Sequence, residues 1–198
     1  SDGHNIIRPF INGNDITKKP GNRYVIDLYG LNEQEVKRRF PYIYQWIMER
    51  VKPSRDAKSH TKDGAAYAKT WWQFGKTRPE LRKAISSLDM FIVTTMTAKH
   101  RTFTQVEHPV LPDQGLIIIA HSGRQFLGIL SSRVHIFWTL SQGGTLESRP
   151  RYNNSRCFET FPFPELTDEQ AAKIGQLAEQ IDAHRKRQQA EHPTLTLT

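Results

Sequence analysis

Residues 90–120 read MFIVTTMTAKHRTFTQVEHPVLPDQGLIIIA. Three runs within them, Met90 to Thr97, Thr102 to Val106 and Leu116 to Ala120, are rich in β-branched and apolar residues and read as strands. To either side the pattern turns helical. Ahead of the strands, after a polar stretch 1–23 and a short strand candidate Tyr24–Leu28, Asn32-Glu33-Gln34-Glu35 has the spacing of a capping box. That helix must end before Pro41, which has no amide hydrogen to donate. A second helix fits residues 41–52, with Ile43, Ile47 and Val51 on one face and Pro53 as its stop. Residues 53–70 are charged and small and read as a connector or an excursion. Pro79 then opens a short helix carrying Leu81, Ala84 and Ile85. Behind the strands, Ser122-Gly123-Arg124-Gln125 is a second capping box. It predicts one helix with Phe126, Leu130, Val134 and Phe137 on a common face, halted by Gly143-Gly144. An extended, proline-broken stretch follows to Pro164. Thr167-Asp168-Glu169-Gln170 is a third box, and it starts a long helix with Ala171, Ile174, Leu177 or Ala178, and Ile181 on one stripe. The fold class that follows is α+β: a mixed sheet with flanking helices, then a long C-terminal helix. The body spans residues 1–164 and a helical segment, cut short, spans 165–198.

At 198 residues the chain can bury a core without a disulfide or metal staple. Cys157 is its only cysteine. It cannot pair internally, and beside Phe158 it reads as a small core residue in a chain suited to the cytoplasm. The longest apolar run, Leu116–Ala120, falls far short of the roughly 18 residues of a membrane span.

Charge is distributed unevenly. The net charge is +8, but residues 1–156 hold 24 basic and 13 acidic residues, whereas residues 157–198 hold 4 and 7. A basic body with a mildly acidic tail suits a polyanionic partner, most often nucleic acid, although a solvated basic surface would look the same.

Enzymatic motifs are missing. No glycine-rich nucleotide loop, HExxH or CxxC spacing, or nucleophile elbow occurs. Pro112-Asp113 with Glu147-Ser148-Arg149 only faintly suggests a metal-dependent nuclease, because arginine stands where that chemistry needs lysine. A binding module is the better expectation, with no catalytic, cofactor-binding or metal-binding residue assigned. Lys58, Lys62, Lys76, Arg78, Lys99 and Arg101 lie in expected loops, where cations can neutralise phosphates. Glu147-Ser148-Arg149-Pro150-Arg151 is the sharpest candidate. In extended backbone Glu147, Arg149 and Arg151 share one face. A carboxylate accepts from the cytosine amino group and an arginine donates to guanine, so this row suits base reading. The competing reading is a surface strand whose charges neutralise one another.

The order of landmarks resembles the target-recognition region of MmeI-like restriction–modification polypeptides and their methylase-only relatives. The landmarks are Ile7-Arg-Pro-Phe-Ile-Asn-Gly-Asn-Asp-Ile16, Tyr24-Val-Ile-Asp27, Phe40-Pro41 and Trp72-Gln-Phe-Gly-Lys76 with Arg78-Pro-Glu-Leu-Arg82. Lys99-His-Arg-Thr-Phe103 comes next, then Leu127-Gly-Ile-Leu-Ser-Ser-Arg-Val-His135 with Trp138, Arg151-Tyr152, and Cys157-Phe-Glu-Thr-Phe-Pro-Phe-Pro164. The resemblance implies a DNA target-recognition domain cut from an adenine-N6 methyltransferase that uses S-adenosylmethionine, sometimes with a nuclease attached. Its partners would be double-stranded DNA and the methyltransferase domain of the same polypeptide, in a monomeric parent. The Asp/Asn-Pro-Pro-Tyr/Phe catalytic motif and the cofactor glycine motif are absent from this chain, so the cofactor belongs to the parent alone.

The same resemblance places Glu147, Arg149 and Arg151 at the family's base-reading positions, with Pro150 departing from an expected aromatic. Lys99, His100 and Arg101 fall where the family approaches DNA. Arg124 and Arg133 are looser DNA-binding candidates. Ser131, Ser132, Arg133 and His135 serve either packing or phosphate contact. Trp71, Trp72, Phe74, Phe137 and Trp138 could stack on a flipped base, but in such a family that base goes to the methyltransferase domain, which makes these aromatics core residues. A stand-alone nuclease and a basic interaction domain are the alternatives to this reading.

Overall fold

A computed structural model of the chain describes residues 6–18, 20–146, 149–192, 194 and 196. In chain order the strands are β1 (Ile7–Ile11), β2 (Arg23–Ile26), β3 (Met90–Thr95), β4 (Phe103–Glu107), β5 (Leu111–Pro112), β6 (Leu116–Ile119), β7 (Gly144–Leu146) and β8 (Arg149–Arg151). The helices are α1 (Gly13–Thr17), α2 (Glu33–Arg39), α3 (Pro41–Arg50), α4 (Lys52–Asp56), α5 (Lys62–Lys69), α6 (Pro79–Ile85), α7 (Arg124–Ser131), α8 (Arg133–Gln142) and α9 (Asp168–Glu191). The architecture is α+β and ends in a long helix, as the sequence predicts. The chain divides into two compact units, Ser1–Arg8 with Tyr24–Glu80, and Pro9–Arg23 with Leu81–Thr198.

The first unit is mainly helical. Its core gathers Ile6, Leu28, Leu31, Val36, Ile47 and Trp71. The expected Asn32 capping box forms, with Asn32 Oδ1 accepting from the Glu35 amide at 2.9 Å and Glu35 Oε2 accepting from the Asn32 amide at 2.8 Å. Side chains from α3 and from residues 72–73 hold that helix start from outside. Trp72 Nε1 and Gln73 Nε2 both donate to the Leu31 carbonyl at 2.9 Å, and Tyr44 donates its hydroxyl to Glu33.

Two expectations for this unit need correction. Pro53 does not end a helix but sits in the first turn of α4, where its missing amide hydrogen costs nothing. Residues 53–70, where no helix is expected from sequence, carry most of α4 and all of α5. Thr61 caps α5 by accepting from the Gly64 amide at 3.0 Å. A Cβ on Gly64 would lie 1.8 Å from the Lys58 carbonyl oxygen, so the chain can close this turn only through glycine.

The second unit is built on β3, flanked antiparallel by β4 and β6. One face of this sheet buries Phe91, Val93, Leu116, Ile16 and Ile85, and the other buries Ile92, Phe103, Ile119, Leu127 and Leu130. The alternation of Phe91, Ile92 and Val93 between two clusters explains why these three successive residues are all apolar. Residues 9–18, part of the stretch read from sequence only as polar, pair Phe10 and Ile11 in parallel with Leu111 and Pro112 and then form α1. Asn12 caps α1, and Asp15 accepts from the amides of Asn12 and Gly21 at 2.7 Å.

The predicted helix after β6 is two helices. Gly123, not Ser122, is the N-cap of α7 and makes no side-chain bond. Ser132 has extended backbone (ψ 152°) and caps α8 by accepting from the His135 amide at 3.2 Å. The break changes the helical register. Leu127 and Leu130 stay inward, but α8 buries His135 and Thr139 and leaves Val134 and Phe137 71% and 75% exposed. The stretch to Pro164 contains a π-helical turn at Asn154–Phe158 that buries Cys157. Phe161 and Phe163 pack edge-on at 5.0 Å, and Phe161 meets His135 at 4.5 Å.

Helix α9 starts with its predicted capping box and packs on α7. Gly175 and Ala178 are buried, with Ala171 and Ile174 half-buried on the same face, while Leu177 and Ile181 point outward. Further along, Arg185 Nη1 donates to the Phe103 carbonyl at 2.9 Å, and Thr104 donates to Asp182 at 3.3 Å. The α9 stripe is therefore apolar only in its first half.

Candidate nucleic-acid interface

Strands β7 and β8 form an antiparallel hairpin that aligns Gly144 with Arg151 and Leu146 with Arg149. Alternation puts Arg149 and Arg151 on one face, and both are exposed, with Pro150 half-buried between them. This is the arrangement expected for these two arginines. Glu147 and Ser148 lie outside the described residues.

The hairpin is anchored to the continuation of β3. The Tyr152 amide donates to the Met96 carbonyl at 2.8 Å, the Ala98 amide donates to the Pro150 carbonyl at 3.3 Å, and Thr97 bridges Arg151. Gly143 lets β8 pass close to the last turn of α8. A Cβ there would lie 2.5 Å from the Thr139 carbonyl oxygen and 2.7 Å from that of Arg151. Beneath the hairpin the Tyr152 hydroxyl meets His135 Nε2 at 3.2 Å, both side chains fully buried. Burial, reinforced by the nearby Arg101 cation, lowers the His135 pKa to about 4. Burial likewise pushes the Tyr152 phenol well above its usual range, so this pair is neutral at pH 7.

Lys99 and His100 are exposed beside the hairpin. Arg101 is not. Its Nη1 donates to the Thr95 carbonyl and, at 3.2 Å, to Thr94 Oγ1, while its Nη2 donates to the Pro150 carbonyl at 3.2 Å. The guanidinium lies 5.3 Å from the centre of the Tyr152 ring. Burial lowers its pKa to about 10, which leaves it charged at pH 7.

Two open clefts border the row. One, about 590 Å³, is lined by Asn12, Asn14, Lys18, Lys99, Asp113 and Arg149, among others. The second, about 220 Å³, is lined by Lys99, His100, Arg101, Leu140, Pro150 and Arg151. The structure thus brings Lys99, His100, Arg101, Arg149 and Arg151 together from distant parts of the sequence. It adds Lys18, Asn12 and Asn14, which sequence reading missed. The Asn12-x-x-Asp15 spacing is a capping signal that could have placed α1, but nothing in it points toward the hairpin.

The remaining candidates lie elsewhere. Arg124 pairs with Glu179 of α9 at 2.6 Å. Arg133 is exposed at the first turn of α8. Ser132 and His135, left between packing and phosphate contact, are a helix cap and a buried hydrogen-bond partner. In the first unit, Lys58 and Lys62 are exposed around the turn into α5, and Lys76 is exposed as well. Arg78 has left-handed backbone (φ 54°) and a buried Nη1 that meets no hydrogen-bond partner among the described residues. Trp71 is a core residue, but Phe74 and Phe137 are exposed, which corrects their expected place in the core. Among the described residues, no three His, Cys, Asp or Glu side chains are grouped to hold a metal, and no helix is long and apolar enough to cross a membrane.

Residues 1–165 match the family model described as MmeI, target recognition domain. DNA methyltransferase A of Bacillus subtilis (strain 168) is 26% identical over 170 residues, which is 83% of this chain and 17% of that protein. The type IIL restriction-modification enzyme MmeI, solved in complex with DNA, superposes with a TM-score of 0.76 at 22% identity, over 98% of this chain and 24% of that one. The chain thus spans less than a quarter of the length of either relative, and the structural likeness speaks for the fold.

Proposed function

This chain belongs to the MmeI target recognition domain family, and we propose on that premise that it reads the sequence of double-stranded DNA for a methyltransferase domain in the same polypeptide. The observation that carries this reading is the exposed Arg149 and Arg151 pair, presented on one face of a hairpin with Lys99 and His100 beside it. Arginine can donate two parallel hydrogen bonds to guanine O6 and N7 in the major groove, and a two-stranded ribbon is narrow enough to enter that groove. Lys99, Lys18 and the exposed lysines of the first unit would take phosphates, which fix register and contribute salt-dependent affinity.

The methylation itself is assigned to the parent, with adenine-N6 as the target atom and S-adenosylmethionine as donor. No residue of this chain is assigned to the cofactor, because no glycine-rich loop or Asp/Asn-Pro-Pro motif is available to hold it or the target base. Cytoplasmic location and a monomeric parent belong to the same proposal.

Duplex binding by the purified chain, followed by fluorescence anisotropy from 50 to 300 mM salt, tests the reading. A few phosphate contacts predict a log–log slope of about −3 to −5. The same preparation, given labelled S-adenosylmethionine and magnesium, should neither transfer label nor cut the duplex. A flat salt response would favour a protein-interaction domain, and cleavage that co-purifies with the chain would favour a nuclease.

A further inference from the structure

Arg101 is basic, close to the DNA-reading row, and turned away from it. Its three hydrogen bonds end on protein oxygens, two at the end of β3 and one on the Pro150 carbonyl. Its charged plane rests on Tyr152. Guanidinium donors have a fixed planar geometry, so a group bonded in this way from both Nη atoms sets the separation of the pieces it joins.

What it joins is informative. Pro150 lies between Arg149 and Arg151, and proline has no amide hydrogen, so its carbonyl is the only backbone group at that residue able to bond to a neighbour. That carbonyl accepts from the Ala98 amide and from Arg101. Tyr152, on which the guanidinium lies, is the next residue beyond Arg151 and is fixed in turn by His135. Arg101 therefore holds the backbone between the two exposed arginines and the residue that follows Arg151.

We infer that Arg101 is a positioning residue for base recognition: it pins Pro150 and Tyr152 to the end of β3, and so aims Arg149 and Arg151, without touching DNA itself. The inference rests on the proposed base-reading role of the hairpin. It separates Lys99 and His100, which are free to face a phosphate, from Arg101, which is not.

The test uses the full polypeptide that carries this chain and a panel of duplexes, each altered at one base pair of its methylated motif. Arg149→Ala and Arg151→Ala define the pairs read by the row. Arg101→Met should relax discrimination at those same pairs by about tenfold or more, the scale of one good arginine–guanine contact. Other pairs should stay within about twofold. The salt slope of binding should be unchanged, because no phosphate contact is lost. Arg101→Lys keeps the charge but not the planar fork, and should show the same relaxed pairs; it also carries the comparison if Arg101→Met fails to fold. In an Arg149→Ala background, Arg101→Met should relax discrimination at the Arg149 pair no further.

A salt slope shallower by about 0.9 with discrimination intact would make Arg101 a phosphate contact and overturn the inference. Uniform loss at every pair would make it a general structural residue, which also overturns it. If Arg149→Ala and Arg151→Ala leave every pair equally discriminated, the base-reading role itself is wrong, and the Arg101 result is not needed to show it.

Discussion

Gly128 of α7 and Ile174 of α9 lie so close that a Cβ added to the glycine would come within 2.5 Å of Ile174 Cγ2 and 2.9 Å of the Ile174 carbonyl oxygen. The two helices cross at this point, and the absent side chain sets their separation. Gly128→Ala would gain helix propensity of about 1 kcal/mol, yet the carbonyl cannot swing aside as a side-chain tip can. Overpacking should win, with a net loss of about 1–3 kcal/mol in urea denaturation. Gly144→Ala is the control, since a Cβ there meets nothing within 4 Å. Equal effects at the two positions would show that α9 is not held on α7 by close approach.

The buried His135–Tyr152 pair predicts how stability varies with pH. In the unfolded chain His135 takes a proton near pH 6.5, while in the folded chain burial holds its pKa down at about 4. Between these values the unfolded state binds more protons, so stability rises with pH and is lost as pH falls from 6.5 toward 4. The loss from this one group is on the order of 3 kcal/mol, complete below pH 4. Asp15 acts over a separate, lower window. Burial alone would raise it, but the Asn12 and Gly21 amides and Arg23 hold it below its ordinary 3.8, so its contribution disappears only as pH falls further. Denaturation at pH 7.5 and pH 5.0, compared with a His135→Phe variant, isolates the histidine. The variant should be distinctly less sensitive over this interval, and equal sensitivity would contradict the assignment.

The strands of the β3 sheet and the starts of α2 and α9 were legible because their signals are local. The β-branched runs after Met90 and the boxes at Asn32 and Thr167 each decide their own backbone within a few residues. What failed was nonlocal. Ser132 divides a stretch whose apolar spacing reads as one helix, because a buried His135–Tyr152 contact, not a leucine stripe, directs α8. Leu177 was an equal candidate to Ala178 for the α9 core, but the tight approach at Gly128 admits only the smaller residue. The basic cluster was legible as a list of residues but not as separate roles. Arg101, Lys99 and His100 are neighbours in sequence, and the bonds of Arg101 to the end of β3 and to the Pro150 carbonyl, 49 residues on, set it apart.

Phosphate contacts and base contacts should respond differently to mutation. Lys58 and Lys62 are exposed at the turn into α5, and if they touch only the DNA backbone their loss removes affinity without altering preference. Lys58→Ala with Lys62→Ala should weaken binding to every duplex by a similar factor and make the salt slope shallower by up to about 1.8. Anisotropy titrations against motif and scrambled duplexes measure both quantities. A changed preference with an unchanged slope would assign these lysines to base reading instead.

Arg149 should specify sequence jointly with Glu147. Glu147 lies outside the described residues; in sequence it stands two residues before Arg149, in the two-residue connection between β7 and β8. A carboxylate that accepts from cytosine and an arginine that donates to guanine are complementary to the two halves of one base pair. Exchanging their charges, by Glu147→Lys with Arg149→Asp in the full polypeptide, reverses the donors and acceptors offered to that pair. The protein should fold, because Arg149 is exposed on the short strand β8 and its replacement leaves the Pro150 and Tyr152 anchors in place. Sequencing of methylated DNA from cells expressing the variant should show a motif altered at one position. Replacing Arg149 alone should cost about 1–3 kcal/mol at the original site and relax that position. If the doubly substituted protein remains active and methylates the original motif, the row does not read bases and is a surface strand whose charges neutralise each other.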